Sequence, residues 1–368
     1  MVDVHRQKIR PSISVLLDVL RIAAAAVVLV FHATSIWTTA YPGLHEALGK
    51  ASHAAVVVFF VISGYVIAST TARNNRGPRQ YAVARLSRLY SVMGPALLLT
   101  AAIEYVVVHA DAAVAARYVR DYSGVRYLLS LLFCNEAGFI SAAPPINSPL
   151  WSLSYEFWYY TLFGIWFYRK FTRKAWLWLA VAAVLAGPKI LLLLPIWLFG
   201  VGACRWPGPA VGVGRAWVGV GLLLVLAGLT VAYLPAWPST VGDKPLFMTG
   251  QFATDWVVGA LVALAIWCVP ADEVSVPGAW VKPLRTVADL AFPLYVLHFP
   301  LLVLGRVLVA WRANDLTQMG VVMAGVIVLA VIAGVALERQ RSRWIRFFAW
   351  GIGLFSPTML LVASKAPD

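Results

Sequence analysis

The sequence has few charged residues. Aspartate, glutamate, lysine and arginine together make up 12% of its 368 residues, whereas soluble domains carry about 25%. No long polar stretch is present that could fold as a separate soluble domain. The composition therefore excludes an ordinary soluble protein, and the 61% share of hydrophobic residues predicts an all-α, polytopic bundle of transmembrane helices.

Cysteine is scarce as well. The three cysteines, Cys134, Cys204 and Cys268, lie at wide spacing in or beside apolar segments. They form no CxxC pair and no pattern of metal ligands. We therefore expect neither a disulfide framework nor a metal site.

Acidic residues are fewer than basic ones, 16 against 30, which gives a formal net charge of +14. Such an excess can indicate nucleic-acid binding, but here the basic residues lie in short loops beside apolar segments. Membrane proteins set their orientation by this pattern, with lysine and arginine on the cytoplasmic side. We therefore expect a lipid bilayer as a partner and no nucleic acid.

The basic loops predict about ten spans in a multi-pass protein of the cell membrane, with both termini in the cytoplasm. Basic clusters precede the first span and follow the spans at 53–72, 150–168 and 317–337. If the alternation of sides is kept, residues 126–145 cannot cross the membrane fully. This stretch contains two prolines and is predicted to be a re-entrant or surface-lying segment.

The later part of the chain supports two further predictions. Residues 175–187 and 190–204 are expected to form a tight pair of spans across Pro188–Lys189. The last apolar stretch is expected to lie at the interface rather than to cross. The predicted domains are therefore a membrane domain over 1–346 and a C-terminal apolar tail over 347–368.

The first apolar segment, residues 12–37, carries Asp18, Arg21 and His32. Its length is that of a full span, so it is predicted to be a retained helix rather than a signal peptide. Arg21 and His32 are eleven residues apart, which is three helical turns plus roughly 20°. Asp18 lies one turn before Arg21, so the three side chains share one face of the helix. A central charge costs roughly 2.5–3.5 kcal/mol, so this stripe is a functional-site hypothesis. In the structural alternative, Asp18 and Arg21 pair to orient the helix and His32 is a packed histidine.

Five sequence motifs follow one another between residues 21 and 302. They are Arg21-x10-His32, FFVISGY at 59–65, Arg85-Leu-Ser-Arg88, SPLWSLSYEFWYY at 148–160 and FPLYVLHFPLL at 292–302. In this order the chain resembles the acyltransferase-3 family of integral membrane enzymes. The resemblance implies transfer of an acyl group, often acetyl, from a coenzyme A thioester to a hydroxyl. Typical acceptors are surface or secreted sugars, with lipids, antibiotics and other small molecules also used. Acyl-coenzyme A is a donor substrate rather than a bound cofactor.

The resemblance also implies roles for individual residues. His32 is the expected general base, because imidazole titrates near neutrality, and Glu156 would orient or charge it from a shared layer. Arg85 and Arg88, one turn apart at the cytoplasmic mouth of a span, would hold the phosphates of the donor. The remaining site candidates support the reaction or shape the acceptor entrance: Asp18, Arg21, His298, Trp151 and Ser152. Gly64 is expected to allow close helix approach, with Ser63 bonding across helices.

Each assignment has a structural alternative. Arg85 and Arg88 are ordinary positive-inside charge, His298 is a packed histidine bonded to a backbone carbonyl freed by Pro300, and Trp151 is an interfacial anchor. Other ionisable residues near predicted span ends are expected to be mostly snorkelling or interfacial: His53, Glu104, Lys189, Asp255 and Asp289. For the whole protein, the alternatives are a transporter or flippase for a polyprenyl-linked or lipidic substrate and, less favoured, a membrane sensor without turnover.

Overall fold

The computed structural model describes residues 10–74, 77–270 and 278–353. Within these ranges the chain is all α-helical, with eleven α-helices and no β-strand, as the composition predicts. The helices are α1 (Pro11–Trp37), α2 (Pro42–Arg73), α3 (Pro78–Ala110), α4 (Ala112–Tyr118), α5 (Ser123–Leu131), α6 (Trp151–Phe167), α7 (Ala175–Arg205), α8 (Val213–Tyr233), α9 (Phe252–Cys268), α10 (Gly278–Leu308) and α11 (Leu316–Gly351).

Seven helices of the described ranges are long and apolar enough to cross a membrane: α1, α2, α3, α7, α8, α10 and α11. This number is lower than the predicted count of about ten for two reasons. Helices α6 and α9 have only 17 residues each. Helix α7 contains both members of the pair that the sequence analysis counted separately.

Helix α7 is bent sharply at Gly187, whose backbone angles are φ 78° and ψ 177°. This conformation is open almost only to glycine. The bend returns the chain to its starting end, because Arg169, just before α7, and Arg205, at its last turn, both lie over the ring of Trp166. The predicted tight pair is therefore confirmed, with Gly187 as the turning residue.

Helix α2 lies at the centre and packs on α1, α6, α7, α8 and α9. Its approach to α7 is close enough that a Cβ at Gly64 would overlap the carbonyl oxygen of Trp197. Gly200 of α7 faces the carbonyl of Val61 in the same way. Small residues permit such contact between backbones in membrane bundles, and the role predicted for Gly64 is confirmed.

Helix α5 and the loop after it follow a re-entrant path beside α3. Near its start, Ser123 donates to Glu104 in the last third of α3 (2.7 Å). At its end, the carbonyl of Leu131 accepts from the hydroxyl of Tyr90, four turns back along α3 (2.9 Å). The loop then returns, since Asn147 donates to a threonine hydroxyl further along α3. The chain thus descends and rises without a second full-length helix, as predicted.

The final helix, α11, has 36 residues and continues through Gly351. At roughly 1.5 Å per residue it is about 54 Å long, well beyond a bilayer core. Its last turns pack on α3, where the ring of Trp344 stacks on Tyr90 and contacts Gly94. The predicted boundary between residues 346 and 347 lies inside this helix, and most of the predicted tail lies outside the described residues.

Candidate active site

The bundle has one end rich in arginine, called here the basic end, which carries Arg85, Arg88, Arg169 and Arg205. At the other end, called here the far end, α1 finishes at Trp37 and α10 finishes at Leu308. The candidate site extends between the two ends, along α1, α6 and α10.

His32 of α1 and His298 of α10 form the part of the site nearest the far end. Their ring centroids are 5.1 Å apart, and the ring of Phe299 lies edge-on to His32 at 5.0 Å. His298 is 1% exposed. Its Nδ1 lies 2.7 Å from the carbonyl of Tyr295, so we assign the ring proton to Nδ1. Its Nε2 is buried and has no hydrogen-bond partner among the described residues.

The prolines of α10 explain how this helix is held. Pro300 has no backbone N–H, so the carbonyl of Val296 lacks its helical partner. Asn147 donates its Nδ2 to this carbonyl at 3.0 Å. The carbonyls that His298 meets are those of Leu294 and Tyr295. The structural alternative expected His298 to bond to the carbonyl freed by Pro300. This is wrong, because Asn147 of the re-entrant loop bonds to that carbonyl instead.

Glu156 lies in a second polar cluster, nearer the basic end. Its Oε1 accepts from the hydroxyl of Ser63 at 2.9 Å and from the hydroxyl of Tyr160. Trp197 donates its indole N–H to Ser63 at 3.2 Å, so Ser63 bonds across helices as predicted. The described structure shows no hydrogen bond between Glu156 and His32, although the two were expected to interact directly.

Tyr295 lies between the two clusters. Its ring centroid is 6.0 Å from that of His298, one turn along α10. Its hydroxyl is 2.7 Å from Ser152 Oγ, one turn before Glu156 on α6. Ser152, Glu156 and Tyr160 are spaced four residues apart and share one helix face. The clusters are thus connected through Tyr295 and Ser152.

Arg85 and Arg88 occupy different surroundings at the basic end. The guanidinium of Arg85 lies 5.6 Å from the ring centre of Tyr81 and 6.0 Å from that of Tyr160. Its Nε is buried without a partner among the described residues. Arg88 is exposed and lies over the ring of Phe292 at 5.5 Å. Arg85 therefore adjoins the Glu156 cluster, whereas Arg88 does not.

Asp18 and Arg21 form an ion pair of 3.1 Å, and Asp18 is 3% exposed. Arg88, Arg285 and Asp289 lie within electrostatic range of Arg21. Along α1, Arg21 is roughly 16 Å from His32. The polar face of α1 predicted from the sequence is therefore divided: Asp18 and Arg21 lie toward the basic end, and His32 lies toward the far end.

Trp151 packs inside the bundle. It is 5% exposed, and its ring lies parallel to that of His53, with an interplanar angle of 4° and centroids 6.2 Å apart. The rings of Phe60 and Tyr155 meet it edge-on. The alternative of an anchor at the lipid surface is therefore wrong, because the side chain has no exposed face to offer.

Two buried pairs of ionisable side chains were missed by the sequence analysis, which expected His53, Asp255 and Lys189 to be mostly snorkelling or interfacial and did not consider Glu136. His53 Nε2 lies 2.8 Å from Asp255 Oδ2. Lys189 Nζ lies 2.5 Å from Glu136 Oε2, and both side chains are at most 1% exposed. The partners are far apart in the chain, so no local pattern could have paired them. Glu104 likewise bonds inward, to Ser123 and Tyr127.

Known proteins resemble this chain over the region that contains the candidate site. A sequence model of the acyltransferase-3 family, described as an acyltransferase domain, matches residues 15–339. Acyltransferase MdmB of Streptomyces mycarofaciens is 26% identical over 308 residues, which cover 76% of this chain and 76% of that protein. No solved structure matches the chain. The matched range contains every candidate site residue named above.

Proposed function

The chain belongs to the acyltransferase-3 family of membrane enzymes, and from this premise we propose the reaction that it catalyses. An acetyl group passes from acetyl-coenzyme A to a hydroxyl of a carbohydrate or glycan-like acceptor. The observation that carries the proposal is the contact between the His32 and His298 rings, 5.1 Å apart inside an apolar bundle. Ionisable residues at membrane depth are rare and generally functional.

In this proposal His32 is the general base. It takes the proton of the acceptor hydroxyl as the oxygen attacks the thioester carbonyl. The tetrahedral oxyanion then collapses, the carbon–sulfur bond breaks, and the proton passes to the thiolate of coenzyme A. His298, neutral with its Nδ1 proton on the Tyr295 carbonyl, offers Nε2 as an acceptor that orients the His32 ring or the attacking hydroxyl.

The donor is proposed to bind at the basic end, which the positive-inside pattern assigns to the cytoplasm. Arg85, whose buried Nε has no partner among the described residues, would hold a phosphate of the donor, and Arg88 would contribute from the surface. The Asp18–Arg21 ion pair supports the donor end of α1. Tyr160, Glu156, Ser152 and Tyr295 would line the route of the thioester toward His32.

The acceptor is proposed to enter from the far end, outside the cell. Trp151 would support the acceptor side of the site from inside the bundle, and the hydroxyl of Ser152, bonded to Tyr295 at 2.7 Å, is a donor near the reacting centre. Acceptor and donor thus approach from opposite ends and meet at His32. Both termini are cytoplasmic in this arrangement, and the protein resides in the cell membrane.

A direct assay tests the proposal. The purified full-length protein in nanodiscs is incubated with radiolabelled acetyl-coenzyme A and a panel of methyl glycosides and trisaccharides of glucose, mannose, rhamnose and N-acetylglucosamine. We expect free coenzyme A and labelled acetyl ester to form in equal amounts, and only when a suitable acceptor is present. Movement of a lipid-linked sugar across vesicles without consumption of acetyl-coenzyme A would instead favour the flippase.

A further inference from the structure

The far end of α10 carries an arginine that the proposed reaction does not use. Arg306 lies seven residues beyond Phe299, which is two helical turns less roughly 20°, so both share one face of the helix. Phe299 contacts His32 at 5.0 Å between ring centroids. The Cα of Arg306 is therefore roughly 10 Å farther outward than that of Phe299, on the face of α10 that meets His32.

The side chain of Arg306 is held in place by an aromatic residue. Its guanidinium carbon lies 4.2 Å from the ring centre of Trp311, which is a close cation–π contact. The Nε of Arg306 and the indole Nε1 of Trp311 are both buried, and neither has a hydrogen-bond partner among the described residues. No ion pair within the described ranges includes Arg306. Both of these donors are therefore unsatisfied by the described part of the chain.

An arginine at the end of a membrane helix usually extends its charge into water. Arg312, six residues later, behaves in this way: its side chain is 76% exposed and lies 3.7 Å from Asp315. Arg306 differs, because its guanidinium lies on an indole and its Nε is buried. The contrast between these two arginines favours binding over simple interfacial anchoring.

We infer that Arg306, supported by Trp311, is an acceptor-binding residue that donates hydrogen bonds to oxygen atoms of the acceptor remote from the reacting hydroxyl. This inference rests on the proposed function and deepens it. A planar guanidinium suits paired oxygen atoms, such as neighbouring sugar hydroxyls. The indole offers a flat apolar face with an N–H at its edge.

The distance between the two groups limits the size of the acceptor. The reacting hydroxyl must lie at His32, whereas the Cα of Arg306 lies roughly 10 Å outward of that of Phe299 along α10. We therefore expect an oligosaccharide to span both contacts and a single sugar ring to reach only one of them. The substrate class is therefore an extended, oxygen-rich acceptor. Arg306 would make the enzyme bind the oligosaccharide more tightly than a single sugar ring.

The experiment compares a trisaccharide with the matching methyl glycoside, using the sugar of the panel that the wild-type protein acetylates best. In nanodiscs, Arg306→Gln should raise the KM for the trisaccharide roughly tenfold, the usual loss for a hydrogen bond to a charged group. The KM values for the methyl glycoside and acetyl-coenzyme A should not change. Arg312→Gln, the matched control, should change none of the three.

Two further variants keep the test decisive. Arg306→Lys should leave most of the defect, because lysine lacks the planar fork. Full rescue by lysine, or an equal loss for both acceptors, would overturn the inference. If Arg306→Gln does not fold, Trp311→Leu removes the support of the guanidinium and should weaken only the trisaccharide. A wild-type protein that acetylates neither sugar contradicts the proposed function itself.

Discussion

His32 and His298 meet ring to ring, with centroids 5.1 Å apart, although they lie on the first and tenth helices. The contact depends on how α10 is held against α1. Asn147 of the re-entrant loop occupies the Val296 carbonyl that Pro300 leaves free. The helix can therefore contain a proline two residues from His298 without an unsatisfied Val296 carbonyl in the apolar core.

The first prediction concerns the two histidines. His32→Ala and His298→Ala should each lower kcat for acetyl transfer by roughly 10²–10⁴, the usual contribution of a positioned acid–base group. Coenzyme A release with acceptor present measures this loss. The control is His109→Ala, since His109 is exposed and bonds only within its own helix, to Tyr105 at 2.7 Å. Full activity in a correctly folded His32→Ala protein would remove it as the base.

The second prediction concerns the donor end. Arg85→Gln should raise the KM for acetyl-coenzyme A roughly tenfold and leave the acceptor KM unchanged, because the lost contact is to a phosphate. Arg88→Gln should have a smaller effect, since Arg88 is exposed and lies over Phe292. The exposed Arg79 at the same end provides the control variant. An unchanged donor KM in Arg85→Gln would exclude this residue from the donor site.

The third prediction concerns the ion pair that holds the re-entrant loop to the turn of α7. Lys189→Met should destabilise the protein by roughly 3–5 kcal/mol, because it leaves the carboxylate of Glu136 buried without its cation. The double variant with Glu136→Gln should recover much of that loss. Thermal unfolding in detergent, measured for both single variants and the double variant, gives the coupling. Additive effects would show that the pair does not act as a unit.

The fourth prediction concerns the contact between α2 and α7. Gly64→Ala should destabilise the protein by about 1–3 kcal/mol, because the new methyl group would overlap the Trp197 carbonyl and push the helices apart. Gly219→Ala on α8 is the matched control, since a Cβ there meets nothing within 4 Å. That change should be neutral or mildly stabilising through helix propensity. Equal thermal stability of the two variants would contradict the close approach.

Several features of the fold and site could be predicted because their causes are local. Gly64 was expected at a close helix approach, and its neighbour Ser63 does bond across to Glu156. The re-entrant path followed from parity and prolines. The expected hydrogen bond between Glu156 and His32 is absent from the described structure, because Glu156 bonds to Tyr160 one turn along α6 and to Ser63 of α2, which packs against that face. Helical spacing gives the face of one helix but not which neighbour it meets.

By itself the sequence determined the class of the protein: a helical membrane bundle with a basic end, in the acyltransferase-3 family. Apolar length and basic loops decide the helical membrane class and the basic end, because backbone groups in lipid must be hydrogen-bonded within the protein, whereas the five ordered motifs indicate the family. Only the tertiary structure decided the partners of the buried charges. Lys189 meets Glu136, and His53 meets Asp255, because helices distant in sequence pack side by side. An isolated charge in an apolar interior is so costly that the folded bundle must supply each partner.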